Sequence, residues 1–326
     1  MSPIHVHVVY EPQDEVKTIL EKHLEEGVEV RYGDELPDPP DYEILVAGRP
    51  PRPFLERGDR LKTLIIPWAG VPTSTREMLH DFPGLKVHNL HHNAAPTSEL
   101  ALALLFAVAK QIIPLDRELR EHDWRTRYAG DHSLLIAGKE ALILGYGEIG
   151  RRVGEGLRSL GVRVKGIKRN LENSGEEGVT LYPPRALDNL LPETEFLFLT
   201  LPLTPDTEGI IGEEEIALLP EGAILVNVSR GPIVDQKALY QALVEKKLWG
   251  AGLDVWYQYP ENEEARKHTP PADYPFQALD NVVLSPHRGG NTRSTERLRM
   301  EHLAQLINAA ARGEEMPNRV DLDRGY

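Results

Sequence analysis

The chain has 326 residues, a formal net charge of -14 at pH 7 and no cysteine. The length favours two domains of ordinary size. The lack of cysteine excludes a disulfide framework, a thiolate zinc site and a cysteine nucleophile. The acidic excess, with lysines and arginines scattered among the acids, argues against a nucleic-acid partner.

The sequence predicts neither a secretory signal nor a transmembrane helix. The first residues, MSPIHVHVVY, lack the charged head and apolar core of a secretory signal. The longest apolar run, LALALLFAVA at 100–109, is too short to span a bilayer. We therefore expect a cytoplasmic protein without a membrane role.

The first hundred residues alternate short apolar runs with turn residues. The runs IHVHVVY, VEVRY, YEILVAG, LKTLIIPWAG and LKVHNL predict strands, and DEVKTILEKHLEE predicts a helix. The proline cluster at 36–42 predicts a loop within this domain. This alternation indicates an α/β domain.

A long helical pattern follows, from Thr97 to about Arg120. It is apolar on nearly all sides, which indicates a buried helix. Thr97 or Ser98 is the expected N-cap and Pro114 the expected kink. We place the domain crossing near the start of this helix.

A second α/β stretch then begins. The runs EALILGYG, RVKGIK, FLFLTLP, AILVNVS, GAGLDV and NVVLSPH predict strands of a parallel sheet covered on both faces, which is doubly wound architecture. After SPHRGG, residues 292–315 carry apolar side chains at helical spacing. We expect this last helix to pack on the first domain.

Three glycines follow the first strand of this second stretch. Gly145, Gly147 and Gly150 have the spacing G-x-G-x-x-G, with a strand at 142–144 before them and a helix from Arg151 onward. A dinucleotide pyrophosphate needs close backbone approach and the N-terminus of a helix. The spacing alone also fits a plain tight turn, but the flanking strands and helix favour a dinucleotide site.

The residues that follow the next strand indicate whether the cofactor is NAD or NADP. A carboxylate normally ends that strand and binds the adenine ribose hydroxyls. Here Lys168 and Arg169 stand in its place. Two cations suit a ribose phosphate and favour NADP over NAD, whereas the alternative is a pair of solvated surface bases.

Four further motifs complete a recognisable order. They are LPLTPDT at 201–207, NVSRGPIVD at 227–235, GAGLDVWYQYP at 250–260 and SPHRGG at 285–290. With the glycine turn, they resemble the D-isomer-specific 2-hydroxyacid dehydrogenases over nearly the whole chain. The resemblance implies a Rossmann-type doubly wound parallel-sheet domain, residues 99–290, inserted into a flavodoxin-like α/β substrate domain formed by residues 1–98 and 291–326.

That family transfers a hydride between C4 of a nicotinamide and the carbonyl carbon of a 2-oxo acid. Reduction forms an alkoxide, so the site needs a proton donor and a cation that fixes the carboxylate. The resemblance implies that His287 is the donor and Arg230 the cation, whose planar fork suits two oxygens at once. The loop of Ala69, Gly70 and Val71 resembles the one that binds the substrate carboxylate.

The resemblance also implies a set of cofactor contacts, with Asp254 at the nicotinamide end and no metal. Most of these residues lie in the glycine turn and in the loops that follow the later strands. They are Gly145, Tyr146, Gly147, Glu148, Ile149, Gly150, Lys168, Arg169, Leu201, Pro202, Thr207, Val228, Ser229, Asp254 and Gly289.

One position departs from the family pattern. A glutamate usually precedes the closing proline of the third motif and keeps the histidine protonated, but here the residue is Tyr259. A neutral tyrosine can only hydrogen-bond, so His287 should be protonated less readily. Tyr259 could orient the imidazole without charging it, Glu261, Glu263 or Glu264 could replace the glutamate, or turnover could be lost. We favour the first, which predicts reduction at mildly acidic pH.

Together these features predict an NADP(H)-preferring reductase of small 2-oxo acids such as glyoxylate or hydroxypyruvate, acting as a homodimer as its relatives do. Trp124 and Tyr128 either reach a neighbouring subunit or pack within the chain. A rival is a non-catalytic nucleotide-sensing protein of the same fold, which Tyr259 favours and the pair Arg230 and His287 disfavours. A dehydrogenase with an altered substrate, such as phosphite or formate, is the third possibility.

Overall fold

A computed structural model describes residues 3–129, 133–171 and 178–324. The chain forms two compact units: residues 1–93 with 291–326, and residues 94–290. The second unit is therefore one continuous segment inserted into the sequence of the first. Each unit contains one parallel sheet with helices, which confirms the predicted α/β class.

The first unit has a five-stranded sheet. Its first segment contains, in chain order, β1 (Ile4–Val8), α1 (Asp14–His23), β2 (Val28–Tyr32), β3 (Ile44–Val46), α2 (Arg52–Glu56), β4 (Thr63–Ile66), α3 (Thr73–Leu79) and β5 (Lys86–Asn89). The strand order is β2-β1-β3-β4-β5 and every pair is parallel. This is the flavodoxin-like order, and the five predicted strands are confirmed.

The second unit has a seven-stranded sheet. Its elements are α4 (Ala94–Ala109), α5 (Ile112–Arg120), α6 (Arg125–Tyr128), β6 (Glu140–Leu144), α7 (Glu148–Ser159), β7 (Arg163–Ile167), β8 (Val179–Tyr182), α8 (Leu187–Leu190), β9 (Phe196–Leu199), α9 (Glu213–Leu218), β10 (Ala223–Asn227), α10 (Gln236–Val244), β11 (Leu248–Leu253) and β12 (Val282–Leu284). The order β12-β11-β10-β9-β6-β7-β8 is that of a Rossmann sheet, parallel throughout.

Both faces of this second sheet are buried. Successive residues of β6 point to opposite faces, so that Leu142 and Leu144 belong to one apolar cluster while Ala141 and Ile143 belong to another. Helices α8 and α10 cover the first cluster, and α4 and α7 cover the second. The near-continuous apolar runs of the sequence follow from this double coverage.

The long helix predicted from Thr97 differs in its details. It begins at Ala94, and the Ser98 hydroxyl donates to the Ala95 carbonyl at 2.7 Å, so neither Thr97 nor Ser98 is the N-cap. The bend between α4 and α5 is 62° and lies at Gln111, whose φ is +50°. Pro114 was the wrong site for the kink because it lies in the first turn of α5, where its missing N–H costs little.

No single helix among the described residues is long and apolar enough to cross a membrane, and α4 with α5 meets that test only as a bent pair.

The last helix, α11 (Thr295–Ala311), belongs to the first unit. Leu303 and Ile307 on this helix share an apolar cluster with Val6 of β1 and Leu20 of α1. The chain thus returns to complete the core of its first domain, which confirms the predicted packing.

Candidate active site

The turn after β6 has the geometry of a dinucleotide loop. Gly145 has φ +99°, and a Cβ there would lie 2.6 Å from the Leu201 backbone nitrogen. A Cβ on Gly150 would lie 2.7 Å from the Gly145 carbonyl oxygen, so this third glycine lets helix and turn pack closely. Helix α7 begins at Glu148 and not at Arg151, because Gly147 already serves as its N-cap.

The surroundings of Gly147, the middle glycine, show whether the turn leaves room for a cofactor. A Cβ on Gly147 would meet no atom within 4 Å, and this N-cap has no side chain to satisfy the first N–H groups of α7. The helix N-terminus therefore faces open space with free donors, as a pyrophosphate site requires. Glu148 and Ile149 lie in the first turn of α7. The turn fits a dinucleotide.

Tyr146, also predicted to contact the cofactor, is only 4% exposed. Its ring lies where a Cβ on Gly154 or Gly166 would be, so the side chain belongs to the core of the second unit. Its backbone N–H donates to the Ile167 carbonyl at 2.8 Å, which ties the turn to the end of β7.

Lys168 and Arg169 follow directly after β7, at the carboxyl edge of the sheet. Lys168 is half-buried and Arg169 is exposed. The Lys168 backbone N–H donates to the Tyr182 carbonyl at 3.0 Å, which fixes this position beside the end of β8. The two cations are thus held at the sheet position where the usual carboxylate would stand.

The loop after β9 carries Leu201, Pro202 and Thr207. Leu201 is buried against the glycine turn, and the Thr207 hydroxyl donates to the Pro202 carbonyl at 2.7 Å. The same hydroxyl accepts the Thr204 backbone N–H at 2.8 Å. Thr207 therefore closes this loop on itself.

Arg230 lies on the turn after β10. The Asn227 side chain organises that turn: its amide donates to the Arg230 carbonyl at 2.9 Å, and its oxygen accepts the Ser229 backbone N–H at 3.0 Å. Val228 and Ser229 are buried, whereas Arg230 is exposed and keeps one guanidinium N–H on the Ser229 carbonyl at 2.6 Å. Asn227 was not among the predicted site residues.

Asp254, at the end of β11, holds the loop that bears His287. The carboxylate is 1% exposed and accepts the Arg288 and Gly289 backbone N–H groups at 2.7 and 2.8 Å. It also accepts the Ser285 hydroxyl. A Cβ on Gly289 would lie 2.9 Å from the carboxylate, so this glycine permits the close approach. The predicted contact between Asp254 and a nicotinamide stays a prediction.

The structure brings His287 near Arg230 and Asp254. The protein atoms around the imidazole desolvate its charged form and, as the largest cause, lower its pKa below the ordinary 6.5. The charge of Arg230 lowers the pKa further, and that of Asp254 raises it. The imidazole is therefore mostly neutral at pH 7, while its residue remains exposed.

Tyr259 contacts His287 through its ring. The two ring centroids are 5.5 Å apart and their planes are tilted by 56°. The phenol oxygen accepts the Trp256 backbone N–H at 3.1 Å, and burial raises the pKa of the phenol, which therefore stays neutral. Glu261, Glu263 and Glu264 are exposed, and Glu263 pairs with Arg266 at 2.9 Å. The charges acting on His287 come from Arg230 and Asp254.

The remaining predicted loop, Ala69 to Val71, lies after β4 in the first unit. The Asn89 amide donates to the Ala69 carbonyl, and Val71 packs against an apolar cluster. These contacts fix the loop within its own unit. Its role in binding a carboxylate stays a prediction.

Comparison with known proteins shows which family the chain belongs to. Residues 102–289 match the family described as D-isomer specific 2-hydroxyacid dehydrogenase, NAD binding domain. A glyoxylate reductase from Korarchaeum cryptofilum is 38% identical over 233 residues, which is 69% of this chain and 65% of that protein. A glyoxylate reductase from Thermococcus litoralis is 36% identical over 70% of this chain and 67% of its own length.

The aligned part of the chain thus spans about two thirds of the length of these relatives. The crystal structure of a D-isomer specific 2-hydroxyacid dehydrogenase from Xanthobacter autotrophicus Py2, in complex with NADPH and MES, superposes with a TM-score of 0.80. Its sequence is 29% identical, and the match covers 100% of both chains. The chain belongs to the D-isomer specific 2-hydroxyacid dehydrogenase family.

Proposed function

We propose that this protein is an NADP(H)-dependent oxidoreductase that reduces a small 2-oxo acid such as glyoxylate or hydroxypyruvate. The observation that carries the proposal is that Arg230 and His287 stand at the same edge of one parallel sheet as the glycine turn. The charge of Arg230 lowers the pKa of the His287 imidazole. Both residues follow the carboxyl ends of parallel strands, as does the glycine turn after β6. Ligands of open α/β sheets bind at this edge.

The proposed roles follow from charge and proton balance. A bound nicotinamide supplies the hydride that adds to the carbonyl carbon of the substrate. The guanidinium of Arg230 binds the substrate carboxylate and polarises the carbonyl, while protonated His287 gives its proton to the carbonyl oxygen. The loop of Ala69, Gly70 and Val71 in the first unit is proposed to bind a carboxylate through its backbone N–H groups. Asp254 keeps the His287 loop in place through its three accepted hydrogen bonds.

Two observations support NADP over NAD. Lys168 and Arg169 occupy the position where a carboxylate would repel a ribose phosphate. The Xanthobacter relative was solved with NADPH. We assign the ribose 2'-phosphate to these two side chains.

A panel of 2-oxo acids with NADPH and NADH tests the activity. We expect turnover of glyoxylate or hydroxypyruvate with NADPH, followed by the absorbance of the reduced nicotinamide. In His287→Ala, kcat should fall by roughly a hundredfold or more with cofactor binding retained. Tight binding of NADPH without turnover of any 2-oxo acid would instead favour the nucleotide-sensing alternative and reject the proposal.

The cofactor preference has its own test. Lys168→Ala and Arg169→Ala should each weaken NADPH binding by about tenfold or more, because each removes a charge-assisted hydrogen bond to the phosphate, and should leave NADH binding nearly unchanged. Lys237→Ala, which removes an exposed lysine of α10, is the matched control. An equal loss for both cofactors would show that these side chains do not read the phosphate.

We also propose a homodimer, supported by apolar side chains exposed on α5, on α6 and at the residue that precedes α6. Ile112, Leu119, Trp124 and Tyr128 are 51%, 48%, 59% and 80% exposed. Apolar groups clustered on a surface favour self-association. Trp124→Glu with Tyr128→Glu should yield a monomer by light scattering, whereas Leu160→Glu, an exposed apolar position at the end of α7, should not. A monomeric wild type would refute this part of the proposal.

A further inference from the structure

The parts of the proposed site meet at one residue, Trp256, which follows β11 and is 5% exposed. Its indole N–H donates to the Ser285 carbonyl at 2.8 Å. Its backbone N–H donates to the Tyr259 phenol oxygen at 3.1 Å. Its carbonyl lies so close to the residue after Arg230 that a Cβ on Gly231 would be 2.3 Å away. Trp256 therefore contacts the segments that carry Arg230, Tyr259 and His287.

The contact with Ser285 bears directly on His287. The Ser285 carbonyl accepts both the Trp256 indole N–H and the backbone N–H of His287, the latter at 3.1 Å. His287 has φ +55°, a left-handed conformation that is costly for a residue with a Cβ. A local backbone conformation of this kind persists only where its surroundings fix it. The Trp256 indole N–H therefore holds the Ser285 carbonyl, which is the acceptor for the His287 backbone N–H in this turn.

Asp254 holds the same loop from its other side, through the Ser285 hydroxyl and the backbone N–H groups of Arg288 and Gly289. None of these three bonds involves the Ser285 carbonyl. The Trp256 indole is the side chain that restrains that carbonyl. Asp254 and Trp256 therefore restrain different atoms of one short loop.

We propose that Trp256 is a positioning residue for His287, acting through the hydrogen bond from its indole N–H to the Ser285 carbonyl. For turnover, this inference rests on the function proposed above, but the position of the imidazole can be measured without turnover. Trp256 also packs edge-on against Phe276, with ring centroids 6.3 Å apart. Packing and hydrogen bonding must therefore be separated by experiment.

Trp256→Phe separates them because phenylalanine keeps an aromatic ring and the backbone N–H but lacks the indole donor. Trp249→Phe is the matched control, since the Trp249 indole also donates to a backbone carbonyl in the same unit, that of Val108, at 3.3 Å. We expect kcat to fall roughly tenfold in Trp256→Phe, as misplacement of a reacting group does, with the Kd for NADPH unchanged. Trp249→Phe should keep kcat within about twofold.

A double-mutant cycle locates the effect. If Trp256 acts through His287, then Trp256→Phe should cause no further loss of kcat in a His287→Ala background. An equal loss in both backgrounds would overturn the inference, because it would show that Trp256 acts elsewhere. Thermal unfolding of both tryptophan variants controls for a general loss of stability.

A second readout needs neither cofactor nor substrate. The charged and titratable groups near the imidazole are Arg230, Asp254 and Tyr259. In Trp256→Phe the released turn should let more water reach the already exposed residue, so that the pKa of His287 rises toward its ordinary value. This pKa can be followed by NMR, with the resonance assigned by its loss in His287→Ala. An unchanged titration together with unchanged kcat would refute the inference. If the wild type reduced no 2-oxo acid, the proposed function would fail while this titration would still decide the role of Trp256.

Discussion

Replacing Tyr259 by glutamate places a carboxylate beside His287 and should shift the pH profile of reduction. The imidazole is desolvated and lies near Arg230, both of which lower its pKa, and its aromatic neighbour carries no charge. A glutamate side chain reaches about as far from its Cα as the centre of the phenol ring. The new carboxylate would therefore lie at about the distance now measured between the two rings.

That distance, 5.5 Å, determines how strongly the new carboxylate would attract the imidazolium. Two opposite unit charges about 5.5 Å apart attract by roughly 0.8 kcal/mol in water and about 3 kcal/mol at an effective dielectric constant near 20. Tyr259 is 45% exposed, which places the interaction toward the lower end, at about 1.4 kcal/mol. This energy raises the ratio of imidazolium to imidazole about tenfold.

In the proposed reaction the imidazolium of His287 donates the proton, so the sign follows directly. Above its pKa, wild-type His287 is mostly neutral and kcat/KM for reduction falls as the pH rises. In Tyr259→Glu the alkaline limb of kcat/KM should move to higher pH by about one unit, and the rate on that limb should rise about tenfold.

The assay is kcat/KM for the 2-oxo acid with saturating NADPH across the pH range in which His287 titrates. Tyr259→Gln is the control, because glutamine has the size of glutamate without its charge and should leave the alkaline limb where it is. Coinciding profiles for the two variants would refute the reasoning, since they would show that a carboxylate at position 259 is not coupled to the imidazole.

Other predictions concern the glycine turn and a buried histidine. Gly147→Ala should leave the free energy of unfolding within about 1 kcal/mol of wild type, since the added Cβ meets nothing, but should weaken NADPH binding at least about tenfold by calorimetry. Gly145→Ala should instead lower the free energy of urea unfolding by about 2 kcal/mol or more, because φ is +99° and the Cβ would collide with Leu201; similar stabilities of the two variants would contradict this contrast. Burial lowers the pKa of His92 from 6.5 to about 4. As the pH falls from 6.5 to 4, the unfolded state therefore binds a proton before the folded state does, and the free energy of unfolding should fall by about 3 kcal/mol. His92→Gln should flatten this part of the stability curve, and an unchanged curve would show that another group titrates there.

Most of the strands could be predicted because both sheets are parallel and their central strands are buried, so that these strands are apolar runs between turns. Strand β8 was missed. Its four residues, Val179–Tyr182, lie at the edge of the sheet and are partly or fully exposed. A short edge strand of this kind has neither a continuous apolar run nor enough length for a clear alternation.

The sequence indicates which residue types belong to the proposed site but not which hydrogen bonds they make. Motif spacing indicated Arg230, His287 and Tyr259, whereas the role of Trp256 depends on a contact with Ser285, 29 positions away. The predicted role of Tyr259 is to orient the imidazole; its ring lies against that of His287 and its oxygen accepts the Trp256 backbone N–H, which motif spacing does not indicate. Sequence spacing specifies which loops come together and leaves open which donor meets which acceptor.

A glutamate at position 259 would supply both orientation and charge to the histidine, but this chain separates the two. Trp256 and Tyr259 restrain the loop and the ring, whereas Arg230 and Asp254 set the electrostatic field. A change at position 256 should therefore lower kcat on the plateau at low pH, where His287 is already protonated, because it misplaces the imidazole. A charge at position 259 should move the alkaline limb and leave the plateau at low pH nearly unchanged, since His287 is already protonated there. If both variants altered the plateau and the limb in the same proportion, orientation and charge would not be separable in this site.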